Sequence, residues 1–280
     1  MALSAEQQRQ FDEHGFIVVR RAFARADALK MQAEWWAELR EVHGIDRDDR
    51  STWKPERGDL RRPKTAPSQM RIETPIVRAV IDGLLGEGRW RTPRDWGRAI
   101  VTFPSGAPPT AWDVPPRIWH WDGLSAWNIE RLASLFVVAF VGEVETAGGG
   151  TLVLGGSHRL VLAQYRAAVA SGCAGDETAR RDALSAGHPW LAALTGHAQS
   201  PKNRIVAFMG EGATVDGAPL KVVELTGAPG DMVFCHPLLM HAVAPNCRDV
   251  PRMMRIKQQL MNDEGRRHLR DAMAARFVKA

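Results

Sequence analysis

The sequence predicts a mainly β protein with flanking helices, in which two antiparallel sheets pack together as a jelly roll. Short β-branched and apolar runs recur along most of the chain, and turns rich in Gly and Pro separate them. No alternation of strand and helix follows a Gly-rich phosphate loop, so a parallel nucleotide-binding sheet is not expected. A chain of 280 residues with 45% hydrophobic residues is long enough for one such domain over residues 1–280.

The N-terminal part, about residues 1–90, is predicted to be largely helical. Ser4 and Gln7 have the spacing of a capping box, and Gly15 is suited to end the helix that the box begins. Apolar residues spaced near the helical period predict two further helices. The elements expected in this part are a helix to about residue 14, a strand over 16–19, helices over 25–42 and 73–85, and an exposed charged loop over 45–72.

The jelly-roll core is expected over about 98–262. Residues 132–141 are almost wholly apolar, which is typical of a central strand buried on both faces. Residues 158–197 have a helical pattern and predict an insertion between two strands, while 104–116 form a loop rich in Pro and Gly. The predicted strands are 99–103, 132–141, 151–154, 205–208, 220–224, 231–235, 238–242 and 253–261, and a C-terminal helix over 264–278 follows them.

Charge and cysteine usage narrow the classes of partner. The net charge is +5, but Lys and Arg are scattered among acidic residues, so we expect no nucleic-acid partner and a small-molecule substrate that is favoured when anionic. No apolar run is long enough to span a membrane. The N-terminus lacks the pattern of a secretory signal, and the 3 cysteines form no CxxC pair, which together predict a cytoplasmic protein with reduced thiols.

The tripeptide His120-Trp121-Asp122 is the first candidate for a metal site. In a strand, residues two apart point to the same face about 7 Å apart, so the imidazole and the carboxylate can bind one metal ion. Together with a second histidine they would form a 2-His-1-carboxylate set. Chance alone gives about one such triplet in a chain with 9 His and 32 acidic residues, so a second histidine is needed.

The segment after the last predicted turn places an arginine toward the interior. Alternate residues of the final strand are Arg252, Met254, Ile256, Gln258 and Leu260, and this set is mostly apolar and should face inward. A buried guanidinium needs an anion, and no acid lies beside it on that face of the strand. A bound carboxylate would meet this need in a bidentate pair, and the alternative is an arginine that reaches solvent at the mouth of the strand.

Four segments of the chain resemble the phytanoyl-CoA dioxygenase family of Fe(II)- and 2-oxoglutarate-dependent oxygenases. Residues 3–19 are similar to that family's N-terminal helix and strand, and His120-Trp-Asp122 is similar to its His-x-Asp motif. Residues 149–158 resemble its Gly-rich strand with a Gly-Ser-His turn, and 230–252 its distal block. The resemblance covers most of the chain and implies a double-stranded β-helix, the cupin-like form of the jelly roll.

The resemblance implies roles for individual residues. His120, Asp122 and His241 would bind Fe(II), which would leave positions for 2-oxoglutarate and O₂. Arg252 would bind the far carboxylate of 2-oxoglutarate, and the Thr151 hydroxyl would add a hydrogen bond. The implied reaction is oxidation of a C–H bond, most simply hydroxylation, with release of succinate and CO₂.

Two positions depart from the family's pattern, and one histidine competes for the ligand role. Val243 stands where the family often has a hydroxyl residue, and Gly155 stands where its turn usually has Pro. His236 is the alternative distal ligand. It lies sixteen residues before Arg252, whereas His241 lies eleven before it, which is the family's spacing and favours His241.

Tryptophans surround the first two candidate ligands. Strand alternation points Trp119 and Trp121 away from the metal side, so they are expected in the core. Trp112 and Trp127 lie in flanking loops and are candidates for lining a substrate pocket. Two other functions stay open at this point: a cupin-like metal-dependent isomerase or hydrolase that does not use 2-oxoglutarate, and a non-catalytic module that binds a small ligand.

Overall fold

Two antiparallel sheets form the body of the protein in the computed structural model, which describes residues 3–54, 58–60, 66–122, 131–171, 177–267 and 270–271. The larger sheet has six strands and the smaller has four. Helices pack against the outer face of each sheet, and a third apolar layer fills the space between the sheets. This arrangement is a jelly roll with flanking helices, so the predicted fold class is confirmed.

The strands are β1 (Phe16–Val19), β2 (Gly58–Leu60), β3 (Arg98–Thr102), β4 (Ser134–Phe140), β5 (Thr151–Gly155), β6 (Ala213–Val215), β7 (Ala218–Glu224), β8 (Met232–Cys235), β9 (His241–Val243) and β10 (Arg252–Met261). The helices are α1 (Ala5–His14), α2 (Arg25–His43), α3 (Pro75–Leu85), α4 (Ser157–Ala170), α5 (Glu177–Ala186) and α6 (Pro189–Thr195). Short 3-10 helices occur at Arg50–Thr52, Pro67–Ile72 and Pro109–Ala111. The larger sheet has the order β1-β8-β4-β10-β3-β2, and the smaller has the order β6-β7-β5-β9.

Strand β4 shows how the layers are built. Its side chains are all buried, and they alternate between two layers. Leu135 and Val137 join the layer under α1, α2 and α3, whereas Phe136 and Val138 join the layer between the sheets. The prediction of a central strand buried on both faces is therefore confirmed, and it follows from β4 lying between β8 and β10.

Helix α1 begins and ends where its capping residues predict. The Ser4 hydroxyl accepts from the Gln7 amide and the Gln7 side chain accepts from the Ser4 amide, which is the predicted capping box. Gly15 ends α1 in the left-handed region with φ 79°. A Cβ at Gly15 would also lie 2.5 Å from the His158 ring, so both its backbone angle and its close contact require glycine.

The charged segment over 45–72 is less exposed than the sequence predicts. Residues Gly58–Leu60 form β2, which pairs with the edge of β3, and Leu60 is buried in the layer beneath the N-terminal helices. In the 3-10 turn Pro67–Ile72, Gln69 and Ile72 are buried. The exposed-loop prediction is wrong for these two stretches because the open edge of β3 and the side of α2 provide partners that charge patterning does not reveal. Residues 55–57 and 61–65 lie outside the described residues.

The predicted strand over 205–208 is also wrong. Ile205–Glu211 is a π-helix, in which Ile205 and Val206 are 41% and 48% exposed. The Asn203 side chain accepts from the Val206 amide and so competes with strand pairing at this residue, and the strand β6 follows only after Gly212. In the predicted strand over 238–242, the stretch before His241 is a turn, whose Leu239 amide donates to the His236 carbonyl.

The predicted helical insertion over 158–197 contains α4, α5 and α6. Residues 263–267 and 270–271 are helical, and the remainder of the predicted helix over 264–278 lies outside the described residues. Cys235 and Cys247 are buried free thiols, while Cys173 is outside the described residues. Among the helices of the described ranges, none has both the length and the apolar character needed to cross a bilayer.

Candidate metal centre

Strand β9 and the segment that pairs with it at His120 bring three metal-binding side chains together. His120, Asp122 and His241 each offer a ligand atom, and these atoms all lie within 4.8 Å of one another. His241 begins β9, and His120 pairs with it through two backbone hydrogen bonds, of 3.0 Å from the His120 amide and 2.7 Å from the His241 amide. This bridge sets the two rings side by side with centroids 4.3 Å apart. Asp122 follows on the same face, two residues later.

Each histidine ring is oriented by a carbonyl two residues before it. Nδ1 of His120 is 2.8 Å from the Ile118 oxygen, and Nδ1 of His241 is 3.0 Å from the Leu239 oxygen. A carbonyl oxygen can only accept, so the proton of each neutral ring is on Nδ1 and the lone pair is on Nε2. Phe136 stacks on the His241 ring at 4.9 Å and fixes its plane. Both Nε2 atoms are thus prepared for a common ligand.

Burial and charge keep His241 neutral. The ring is 7% exposed, and its pKa falls to about 4, chiefly because burial disfavours the imidazolium and next because His120 lies beside it. The positive charge of Arg181 acts in the same direction. A neutral imidazole is the form that binds a metal ion, so His241 is available for a metal near neutral pH.

Asp122 has a partner that the sequence did not identify. Nε2 of Gln258 donates to its Oδ1 at 3.2 Å. Gln258 belongs to the alternate set of β10 that was expected to face inward. The sequence therefore predicted the direction of its side chain, but not its hydrogen bond to Asp122. The prediction that this set faces inward is wrong at Leu260. The pairing register of β10 shifts between Lys257 and Leu260, so Leu260 packs on the helix-covered side of the sheet instead.

Arg252 lies at the start of β10 and is 1% exposed, so the alternative of an arginine reaching solvent is wrong. Its guanidinium donates to the carbonyl of Gly149 and, at 2.8 Å, to the hydroxyl of Thr102. Thr151 is buried and pairs with Val243 in the β5–β9 ladder. Two residues along the same ladder, Val153 pairs with His241, so Thr151 shares a sheet face with the candidate ligand.

Glu224 is a buried acid that the sequence did not single out. Its carboxylate accepts from the amides of Ala147 at 2.9 Å and Gly150 at 3.0 Å, and so holds the turn whose Gly149 carbonyl binds Arg252. Burial raises the pKa of Glu224, and the two amides and nearby arginines, including Arg252, oppose that rise. Arg252 therefore has an acid within electrostatic reach, on β7, which alternation along one strand does not reveal.

The side chains of the tryptophans and of His236, the other candidates from the sequence, lie away from the triad wherever the structure describes them. Trp112 is 6% exposed and packs with Trp119 and Trp121 in the layer outside the smaller sheet, while Trp127 is outside the described residues. Trp119 and Trp121 point away from the triad, as alternation predicts. His236 lies against His158 with ring centroids 5.0 Å apart and is not a member of the metal-binding group.

Comparison with known proteins concerns the fold. No protein-family model matches the chain, and no curated protein matches it. Among solved structures, EvdMO1 has a TM-score of 0.52 at 16% identity, over 92% of this chain and 50% of that chain. HygX from Streptomyces hygroscopicus, solved with nickel and 2-oxoglutarate bound, has a TM-score of 0.49 at 14% identity, over 91% of this chain and 86% of that one. EctD from S. alaskensis, solved with bound Fe, has a TM-score of 0.47 at 18% identity, over 90% of this chain and 75% of that one. At such identities the likeness is one of fold, so chemistry has to be inferred from the side chains.

Proposed function

We propose that this protein is an Fe(II)- and 2-oxoglutarate-dependent dioxygenase that hydroxylates a C–H bond of a small organic substrate and releases succinate and CO₂. The observation that carries the proposal is the convergence of His120, Asp122 and His241 on one point. The sequence resemblance to the phytanoyl-CoA dioxygenase family supports the same assignment.

The donor set fits a non-haem iron centre. Two imidazoles and one carboxylate are the ligands of the facial triad that binds Fe(II) and leaves positions open for other ligands. The fit extends to the surrounding groups: the Nδ1 atoms of His120 and His241 face carbonyl oxygens, and Gln258 binds the Asp122 carboxylate. Such outer contacts orient the ligands and are typical of sites built for a metal ion.

The interior also offers a site for a keto-diacid. Arg252 is a buried guanidinium, and the Thr151 hydroxyl shares a sheet face with His241. A planar guanidinium pairs with a carboxylate through parallel N–H bonds, which suits the far end of 2-oxoglutarate. When bound, iron, 2-oxoglutarate and O₂ supply the oxidising power, and the chain's own residues bind, orient and exclude water.

Asp122 bears on the outcome of the reaction. Its carboxylate would occupy a position on the metal that related halogenases leave open for chloride by having a small residue there. We therefore expect hydroxylation, with desaturation and ring formation as outcomes of the same chemistry. The substrate is a small molecule, and the net charge of +5 favours an anionic one.

An anaerobic titration tests the proposal. Fe(II) and then 2-oxoglutarate are added to the protein, and the weak visible charge-transfer band of the ternary complex is recorded, followed by a substrate screen that measures succinate. The band is expected for the wild type, and Asp122→Ala is expected to abolish coupled turnover. Wild-type turnover in Asp122→Ala would refute the assignment of the triad. Substrate turnover without succinate that is unaltered in Arg252→Ala would instead indicate a cupin-like isomerase or hydrolase. Metal binding without turnover of any substrate would indicate a non-catalytic binding module.

A further inference from the structure

The guanidinium of Arg181 lies beside the backbone that carries two of the candidate ligands. Arg181 is on α5, and its Nη2 donates to the carbonyl oxygen of Trp121 at 3.3 Å. Its Cζ lies 5.2 Å from the centroid of the Trp121 ring, so the cation is stacked on the indole. Trp121 is 1% exposed and its Nε1 donates to the Tyr165 hydroxyl at 3.3 Å. Arg181 is therefore stacked on a buried, hydrogen-bonded indole.

Strand pairing explains why Arg181 meets the chain at this residue. The amide and carbonyl of His120 both bind His241, so in an antiparallel pair those of Trp121 point to the opposite side. Within the part of the chain that the structure describes, no further strand pairs on that side, which lies beyond β9 in the smaller sheet. Arg181 binds at this edge, at the residue that lies between His120 and Asp122.

The charge of Arg181 is poorly satisfied by the protein. Within the described ranges, its Nε is buried without a hydrogen-bond partner, it forms no ion pair, and its 3.3 Å bond is long. Arg204 shows the contrast with a structural arginine, because it donates to the carbonyls of Val114 and Leu194 at 2.7 Å each and to that of Ala193 at 2.9 Å. A cation that is largely removed from water and lacks an anion is costly, so its retention beside the triad indicates a ligand.

We propose that Arg181 binds an oxyanion, a carboxylate or a phosphate, carried by the substrate, at the edge of the segment that carries His120 and Asp122. This inference rests on the proposed function and names its substrate class as a small organic anion. The guanidinium presents a flat fork of N–H donors, which matches the geometry of both oxyanions. The site is separate from Arg252, which lies on β10 and is bound to Gly149 and Thr102.

The neighbouring arginine provides a matched control. Arg180 is on the same helix, but its guanidinium stacks on the Tyr165 ring at 5.0 Å and not on Trp121. Binding of inorganic phosphate and of acetate to the full chain is measured by calorimetry at low ionic strength, with acetamide as the neutral analogue. Each titration is run without and with nickel(II) and excess 2-oxoglutarate, so that the cosubstrate occupies its own site.

Arg181→Gln is expected to weaken binding of at least one oxyanion by about tenfold or more, the effect of losing a charge-assisted contact. Arg180→Gln should stay within about twofold of wild type, and Arg181→Lys should retain part of the affinity because it keeps the charge. If only phosphate binding is weakened in Arg181→Gln, the substrate bears a phosphate. If acetate binding is weakened, the substrate bears a carboxylate. Equal affinities in wild type and Arg181→Gln, or an equal loss in Arg180→Gln, would overturn the inference.

The two arms separate this inference from the proposed function. If nickel(II) and 2-oxoglutarate bind but no oxyanion depends on Arg181, the inference fails and the dioxygenase proposal is unaffected. If an oxyanion depends on Arg181 while 2-oxoglutarate does not bind, the anion site stands and the dioxygenase proposal fails. Melting curves of the three variants provide the check on folding, and Arg181→Lys carries the test if Arg181→Gln does not fold.

Discussion

Acidification is expected to destabilise the metal-free protein, and His158 should account for a measurable part of the effect. The His158 ring is 5% exposed, and its Nε2 lies 3.2 Å from the Asp12 carbonyl oxygen. Its Nδ1 makes no hydrogen bond to the described residues, and Gly15 packs so closely that a Cβ there would lie 2.5 Å from it. A proton on Nδ1 would therefore have no acceptor, and burial lowers the pKa of His158 to about 4.

The size of the effect follows from proton linkage. In the unfolded chain the pKa of histidine is about 6.5, so below that pH the unfolded state binds a proton that the folded state resists. The stability that neutral His158 contributes is intact above about pH 6.5, is lost progressively as the pH falls from 6.5 to about 4, and is fully lost below that. At about pH 5 the loss is about 2 kcal/mol, and it approaches about 3 kcal/mol under more acidic conditions.

Urea unfolding of the metal-free wild type and of His158→Phe, at about pH 7.5 and about pH 5, measures this contribution. His158→Phe removes the titrating group and keeps a buried ring, so its free energy of unfolding should fall by about 2 kcal/mol less than that of the wild type between the two pH values. His197→Gln, at an exposed position, controls for the loss of a histidine. The same pH dependence in wild type and His158→Phe would refute the reasoning.

Three substitutions test contacts around the site and the core. Gln258→Leu removes the donor to Asp122 and should lower the Co(II) affinity, measured by competition with a chelating dye, by about 10- to 100-fold. Ile118→Gly should raise the free energy of unfolding by about 1 kcal/mol in urea, because Ile118 is a β-branched residue at φ 71° and its side chain is 69% exposed. Leu154→Ala should lower that free energy by about 2–5 kcal/mol, because the side chain is fully buried.

Matched variants make each of these outcomes decisive. Gln259→Leu changes the next residue of the strand and should leave the Co(II) affinity within about threefold of wild type, whereas an equal loss would mean a general effect on β10. Ile118→Asn tests the backbone strain independently, since Asn tolerates the left-handed region, and a loss of stability in both Ile118 variants would contradict the strain. A change below about 1 kcal/mol in Leu154→Ala would contradict its close packing.

Local patterns were sufficient for much of the fold. The capping box at Ser4, the glycine after α1 and the unbroken apolar run of β4 act over a few residues, so the sequence alone predicted these elements. The same holds for the facing of His120 and Asp122, because side-chain direction in an extended segment depends only on parity. The strand predicted over 205–208 is wrong. This run is part of a π-helix, and the Asn203 side chain accepts from the Val206 amide.

Patterns along the chain were enough to predict most of the strands, most of their inward faces, and the histidines, acid and arginine that are candidates for the site. Which of these side chains meet depends on the three-dimensional fold, because the pairing of β9 with residue 120 and of β10 with β4 joins segments that are distant in the chain. The contacts of Gln258 with Asp122 and of Arg181 with Trp121 depend on that pairing and leave no local pattern. Such contacts arise from packing between distant elements, which the periodicity of each element does not encode.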